Sequence, residues 1–434
     1  MLEKILRATE KFIPKSIYRF FQPVYHFLLA IAGALIYRFP SRRLIVVGIT
    51  GTKGKSSTAE ILNRIFEGAG YKTALSGTIR FKIGDKSRPN LYKMSMPGRM
   101  FVQKFLREAV DAGCTHAVIE MTSEGAKQLR HYFINLDALV VTNISPEHIE
   151  SHGSYENYVE AKLSIARSLK PNGIKNIPGA KKNVLILNTD DKEYTRFSSI
   201  NAPQIFYSLR DAEPYSLRKE GNTSENVTLS FKGDTIHSPL RGTFNIYNIL
   251  AAATAANYFG ITTSTIVRAL ESFDGIKGRV EKVHLDGQDF DVIVDYAHTA
   301  DSLEKFYQAF SHQRKICVLG STGGGRDQWK RPEMGKIAEK YCDQIILTNE
   351  DPYDEDPIKI INEVKAGIST KPCTILIDRR KAIAHALSLA HKNDAVLITG
   401  KGTDPYIMTA NGSKIPWSDV DVAKEELTKV LATR

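Results

Sequence analysis

The chain has 434 residues, 42% of them hydrophobic and 25% charged, with a formal net charge of +11. This is ordinary globular composition on the scale of roughly three domains at ~150 residues each. It excludes a disordered tail, a collagen-like fibre and a disulfide-stapled miniprotein, whereas the positive charge admits nucleic acid, anionic lipid or a polyanionic small molecule. Residues 1–43 mix basic and aromatic residues around one apolar run, Phe27–Tyr37. The run is shorter than the ~20 residues that span a bilayer, and Arg38, Pro40, Arg42 and Arg43 follow it in place of a signal-peptide cleavage site. Three readings stand: a helix packed on the body of the protein, an interfacial membrane helix with flanking cations, or a translocated segment.

Leu44–Val47 reads as a β-strand, and a helix is predicted from about Ser56 to Gly68. Ala117–Glu120, Ala138–Thr142 and Asn183–Leu187 read as buried strands, and Tyr155–Leu169 as a helix. Between Ile205 and Leu240, short alternating segments with Gly, Asn and Asp turns predict a small antiparallel patch. Phe244–Phe259 and Thr262–Phe273 read as helices. A boundary falls near Gly275–Gly278, after which the alternation restarts with strands at Val292–Val294, Ile316–Leu319, Gln344–Leu347, Thr374–Leu376 and Ala395–Ile398. The expected organisation is an N-terminal helical segment (1–43), a central α/β domain (44–277) and a Rossmann-like C-terminal domain (278–434), with ligands at the strand C-terminal ends. The four cysteines, Cys114, Cys317, Cys342 and Cys373, form no CxxC pair. They read as small buried hydrophobes of a reducing compartment, with neither a zinc ribbon nor a disulfide framework.

Gly48–Ser57 joins the first strand to the first helix, the context of a phosphate-binding loop. Glycines let the backbone approach phosphate oxygens, and the helix N-terminus adds amides and a positive dipole end. Lys55 would neutralise β- and γ-phosphate charge, and the Ser56 hydroxyl would ligate Mg²⁺. Five residues rather than four separate Gly48 from Gly54, so the spacing departs from the strict Walker pattern.

The stretch Gly51-Thr52-Lys53-Gly54-Lys55-Ser56 with Ser57 resembles the loop of the Mur ligases, ATP-dependent amino-acid ligases of peptidoglycan synthesis. The resemblance continues in order through Thr142–His148, His152-Gly153, Tyr158–Lys162, Gly242–Asn248, Gly278-Arg279, Asp295–Thr299, Lys330–Pro332 and Gly400–Gly402. Within the family, Asp295–Thr299 with Lys330–Pro332 most resembles the branch that adds the third peptide residue to UDP-N-acetylmuramoyl-dipeptide.

The resemblance implies ATP and Mg²⁺ as cofactors and an acyl-phosphate route to an amide, releasing ADP and phosphate. Ser56, Glu120 and His148 would hold one Mg²⁺, and Lys162, carbamylated, a second. Asn248 would contact adenine, while Arg279 and Asp295 would hold ribose and phosphates from the C-terminal domain on closure, which expels water. His298 is a candidate phosphate-side catalytic residue or a structural hydrogen-bonding one. Ser95, Met96, Pro97, Ser123 and Arg130 match contacts to the UDP-muramoyl-peptide, and Glu124 stands where relatives carry His.

Arg326 matches an arginine that binds an amino-acid carboxylate through a fork. Gly400 and Asp404 match positions near the amino acid's distal end. Where diaminopimelate-adding enzymes carry Asp-Asn-Pro-Arg, this chain has Glu350, Asp351, Pro352 and Tyr353. The missing arginine and the surrounding acids favour an ammonium end, hence a basic or diamino acid; some of these acids would instead cap the following helix. Residues 1–43 are too few for the family's UDP-gripping domain. The expected protein is a cytoplasmic monomer with peripheral membrane contact open through residues 1–43. No basic-aromatic module supports nucleic-acid binding. The alternatives are a Mur-like ligase with another acceptor, including a folylpolyglutamate-type enzyme, and a non-catalytic nucleotide-binding scaffold.

Overall fold

The computed structural model describes residues 15–98, 100–147, 149–170, 173–210, 217–222, 227–325 and 328–433. A helix, Lys15–Ile36, precedes β1 (Ile45–Thr50). The first sheet continues with β2 (Thr73–Ser76), β3 (Arg80–Ile83), β4 (Lys86–Pro89), β5 (His116–Glu120), β6 (Ala138–Val141), β7 (Val184–Asn188) and β8 (Gln204–Tyr207). Their spatial order is β4-β3-β2-β5-β1-β6-β7-β8. The β1 strand pairs in parallel with both β5 and β6. It lies where the chain reverses its direction of travel across the sheet, the place where open α/β sheets bind ligands.

Both sheet faces are covered, which is why these strands read as unbroken apolar runs. Helices Lys55–Gly68, Thr243–Tyr258 and Thr263–Glu271 pack on one face, and Phe101–Asp111 and Tyr155–Arg167 on the other. The alanine-rich helix Thr243–Tyr258 is buried from Asn248 to Ala256 on every side, so small residues are what its neighbours leave room for. A separate antiparallel sheet comprises β9 (Leu217–Asn222), β10 (Val227–Phe231) and β11 (Asp234–Ser238). The expected patch therefore starts later than Ile205: β8 extends the parallel sheet beside β7. The β2–β4 meander was not anticipated; β3 and β4 run antiparallel and β4 is fully exposed, so it carries no apolar signature.

The second half holds β12 (Glu281–Val283), β13 (Asp291–Asp295), β14 (Lys315–Leu319), β15 (Gln344–Leu347), β16 (Cys373–Ile375) and β17 (Ala395–Thr399), ordered β12-β13-β17-β14-β15-β16. All pair in parallel except β12, which is antiparallel to β13. A hairpin, β18 (Tyr406–Met408) with β19 (Lys414–Pro416), follows. Helices cover both faces here as well.

One expectation is corrected. Cys317 in β14 and Cys342, just after the helix Lys330–Tyr341, are joined by a disulfide. The strand and its covering helix bring the two side chains together in the core, a proximity that sequence spacing does not reveal. Cys114 is a buried free thiol and Cys373 a half-buried one.

Candidate functional site

A cavity of about 1510 Å³ lies between the two halves. It exceeds the 300–1,000 Å³ usual for one small ligand, so it has room for more than one substrate. Residues 52–57 line its floor, Asn248 one wall, and Arg279, Asp295, Tyr296 and His298 the opposite side.

The loop after β1 is held from beneath. Thr142 Oγ1 donates to Lys53 O at 2.7 Å, the Lys53 amide donates to Asn143 Oδ1 at 3.0 Å, and Thr52 Oγ1 lies 2.7 Å from Tyr158 Oη. Gly54 has φ +83°, and a Cβ there would stand 2.2 Å from Asn248 Oδ1. Only glycine satisfies that turn and that approach together. Lys55 Nζ donates to the carbonyls of Gly51 (2.9 Å) and Thr52 (2.8 Å), folded back over its own loop. Burial lowers its pKa, partly opposed by Glu147 and Glu120.

Glu120 ends β5. Its carboxylate accepts Ser56 Oγ at 3.1 Å, the Thr78 amide at 2.7 Å and Thr78 Oγ1 at 2.8 Å. Thr78 Oγ1 in turn lies 2.5 Å from Ser95 Oγ, so one hydroxyl chain joins the phosphate side to the Ser95–Pro97 segment. Thr78 was not singled out from the sequence; its only signal is its place just after β2. Met96 and Pro97 are buried, and Met96 O accepts from Arg130. Ser123 Oγ lies 3.1 Å from His152 Nε2. His148 and Arg326 lie outside the described residues.

Lys162 is 2% exposed, and its Nζ donates to Gly51 O at 2.7 Å. Its pKa is pushed well below the usual lysine value, first by burial and then by the Lys55 cation, with Glu147 opposing. The site therefore penalises a cation and favours the neutral amine. Glu147 itself pairs with Lys53 at 2.6 Å.

From the other half, the Arg279 guanidinium stacks on the Tyr296 ring, 4.3 Å from its centroid. Asp295 accepts the amides of Val280 (2.8 Å) and Ala297 (2.7 Å), which fixes the turn carrying Arg279. Burial raises the Asp295 pKa despite Arg279. His298 Nδ1 lies 2.7 Å from Tyr296 O. A carbonyl only accepts, so Nδ1 carries the proton and Nε2 faces Glu147 at 3.9 Å. Burial, then Lys53 and Lys330, hold His298 well below the usual histidine value, so the ring is neutral.

The acidic segment after β15 is largely neutralised from within. Asp351 pairs with Lys401 at 2.8 Å and with Lys93 at 3.0 Å. Asp404 also meets Lys93 at 3.0 Å. Asp354 accepts the Asn411 amide, Glu355 pairs with Arg331, and Asp356 caps the helix Pro357–Lys365. Glu350 differs. It is 3% exposed; Thr322 Oγ1 donates to one carboxylate oxygen at 2.7 Å, and the other has no partner among the described residues. That oxygen faces Gly400, where φ is +107° and a Cβ would stand 2.4 Å from it. Tyr353 lines the cavity beside it. Lys93 comes from the first half and Asp351 and Asp404 from the second, so this cluster ties the halves across the cavity, as Arg241 and Asp291 do at 3.3 Å. Charge counting in the sequence found the acids but not Lys93 and Lys401, which arrive from 258 positions before and 50 after Asp351.

Residues 49–256 match the Mur ligase middle domain, and residues 278–402 the Mur ligase, glutamate ligase domain. A UDP-N-acetylmuramyl-tripeptide synthetase of Roseiflexus sp. (strain RS-1) is 33% identical over 420 residues, covering 93% of this chain and 82% of the relative. A UDP-N-acetylmuramoyl-L-alanyl-D-glutamate--2,6-diaminopimelate ligase of Aquifex aeolicus (strain VF5) is 36% identical over 431 residues, 98% of this chain and 82% of the relative. The solved structure of another such 2,6-diaminopimelate ligase superposes with a TM-score of 0.60 at 27% identity, covering 89% of this chain and 78% of that one. With both Mur ligase domain models matched and relatives at 33–36% identity covering more than nine-tenths of the chain, the chain belongs to the Mur ligase family.

Proposed function

We propose that the chain is an ATP-dependent amide-forming ligase that joins a diamino acid to the carboxylate of a UDP-muramoyl-dipeptide, releasing ADP and phosphate. The observation that carries this reading is one cavity that presents a phosphate loop from the first half and Arg279, His298 and Glu350 from the second. A carboxylate and an amine do not condense in neutral water, so the carboxylate must first be activated by phosphoryl transfer. That transfer is a problem of positioning and charge neutralisation.

Gly51–Ser57 cradle the phosphates, with Lys55 turning from its loop carbonyls to the phosphate charge. Asn248 holds the base side, and Arg279 is pre-stacked on Tyr296 to meet the nucleotide from above. Ser95–Pro97, Ser123 and Arg130 position the acceptor at the far end of the Thr78–Ser95 hydroxyl chain. Glu350 receives the ammonium of the incoming amino acid, beside Gly400, Tyr353 and the Asp351–Asp404–Lys93–Lys401 cluster, with Arg326 on its carboxylate. The amine then displaces phosphate from the acyl phosphate.

The donor set fits Mg²⁺. The Ser56 hydroxyl and the Glu120 carboxylate are adjacent hard oxygen ligands, with His148 as a further ligand. Bound there, the ion would neutralise phosphate charge. Carbamylation fits Lys162: burial and the Lys55 cation hold its amine neutral, the form that reacts with CO₂, and the resulting carbamate anion would stand near the Lys55 cation. A cytoplasmic monomer is the form this reading expects, since ATP is supplied in the cytoplasm.

The test is phosphate release by the purified chain with ATP, Mg²⁺, UDP-muramoyl-L-Ala-D-Glu and lysine, ornithine or diaminopimelate in turn. Release is expected only with both acceptor and amino acid present; no stimulation by any pair overturns the reading. Lys162→Ala is expected to lower turnover at least ~100-fold, with no rescue by bicarbonate because the amine is gone.

A further inference from the structure

The helix Lys15–Ile36 has two apolar faces. One is docked: His26, Ala30, Gly33 and Ala34 are buried, and a Cβ on Gly33 would stand 3.3 Å from Met100 Cγ, beside the helix Phe101–Asp111. The Phe27 ring packs on Phe133 with centroids 5.6 Å apart. The other face is exposed: Val24, Leu28, Leu35 and Ile36 are between 56% and 61% accessible. Val24, Leu28 and Leu35 follow helical spacing, so they form one stripe, on the side opposite His26, Ala30 and Gly33. No Asp, Glu, Lys or Arg occurs from Phe20 to Tyr37. A surface helix normally turns a polar side to water.

The charge around this stripe is one-sided. Residues 1–43 contain eight Lys and Arg against two Glu, and no acidic residue occurs between Glu10 and Glu60. Arg38, Arg42 and Arg43, just past the helix, are exposed. No helix among the described residues is long and apolar enough to cross a membrane.

We propose that this face docks, in the plane of the interface, on a lipid bilayer carrying anionic headgroups. The stripe enters the headgroup–acyl boundary, and Arg38, Arg42 and Arg43 meet the anionic charge. A second copy of the chain is the less favoured occupant, because pairing two such stripes brings two strongly cationic segments together. The docked side rests beside the helix that follows Ser95–Pro97, so the anchor is braced against the half carrying the acceptor segment. The proposal does not depend on the ligase reading.

The test is co-sedimentation of the full chain with sucrose-loaded vesicles of phosphatidylcholine alone and mixed with phosphatidylglycerol. At low salt, the mixed vesicles are expected to carry down at least ~10-fold more protein than neutral ones, with the excess falling as salt screens it. The Leu28→Asp, Leu35→Asp double variant is expected to lose that binding while its thermal unfolding stays in place. Should it unfold instead, Arg42→Gln with Arg43→Gln removes charge without touching the stripe and is expected to lower binding several-fold. Equal binding to both vesicle types, no binding, or unchanged binding by both variants overturns the proposal. So does a dimer in sedimentation equilibrium that the stripe variant dissociates and that shows no lipid dependence.

Discussion

Replacing Lys175 with Met should loosen the base of the phosphate-loop strand. The Lys175 and Asp137 side chains are 4% and 0% exposed. Lys175 Nζ donates to Ser41 O and Leu44 O, each at 2.7 Å, and to Asp137. The same Asp137 oxygen accepts the Val46 amide at 2.7 Å, and its other oxygen has no partner among the described residues. Lys175→Met thus leaves a buried carboxylate with one amide donor, at a cost of about 3–5 kcal/mol. With a urea m-value of about 2.5 kcal/mol/M, the midpoint of the central half should fall by about 1–2 M.

The two tryptophans, Trp329 and Trp417, both lie in the second half. Their fluorescence therefore reports that half, while far-UV circular dichroism reports both. The dichroism transition should move and the fluorescence transition stay. Burial raises the Asp137 pKa, so its native carboxylate costs stability above the unfolded value of 3.8. That cost fades as pH falls through the raised native pKa, so the Lys175→Met deficit should be largest near neutrality and shrink toward pH 4. Adding Asp137→Asn should recover most of the loss, because the stranded charge is removed. A deficit below about 1 kcal/mol, or a double variant no more stable than Lys175→Met, would refute the reasoning.

Gly54→Ala must place a Cβ 2.2 Å from Asn248 Oδ1 at φ +83°. Left-handed backbone alone costs about 1–2 kcal/mol, so calorimetry should show ATP affinity reduced at least tenfold. Lys93→Met removes two ion pairs across the cavity, partly solvent-screened and worth about 1 kcal/mol together. The halves should open more readily, read as a larger radius of gyration in X-ray scattering and a raised KM for the amino acid with little change in Tm. Burial lowers the pKa of His116 and His131 to about 4 from 6.5. The unfolded chain takes up protons that the native chain refuses, so stability should fall as pH drops below 6.5, by about 1.4 kcal/mol per histidine at pH 5.5. Denaturation of His116→Phe and His131→Phe variants checks this, each flattening the decline.

The strands β1, β5, β6, β7, β13, β14, β15 and β17 were legible because a parallel sheet buried on both faces must be written in consecutive apolar residues. The phosphate loop was legible because its chemistry is local: glycines, a lysine and a hydroxyl within seven positions. What escaped was set by partners distant in sequence. Lys-Ser-Arg-Pro at Lys86–Pro89 becomes a strand only because β3 lies beside it. Glu350 stands apart from its acidic neighbours only once Lys93, Lys401, Arg331, the Asn411 amide and a helix N-terminus have claimed the others. The cysteine pair belongs to the same class, joined by packing and not by spacing.

The β2–β4 meander sits at one end of the eight-stranded sheet, and the Ser95–Pro97 segment hangs from its last strand. The phosphate loop is rooted four strands away from that edge, at β1, walled in by β5 and β6. An insertion, a deletion or a new side chain at the margin can therefore be accommodated without moving the strands that grip the nucleotide. Such a layout lets the margin of the sheet vary while the loop at its centre keeps its geometry.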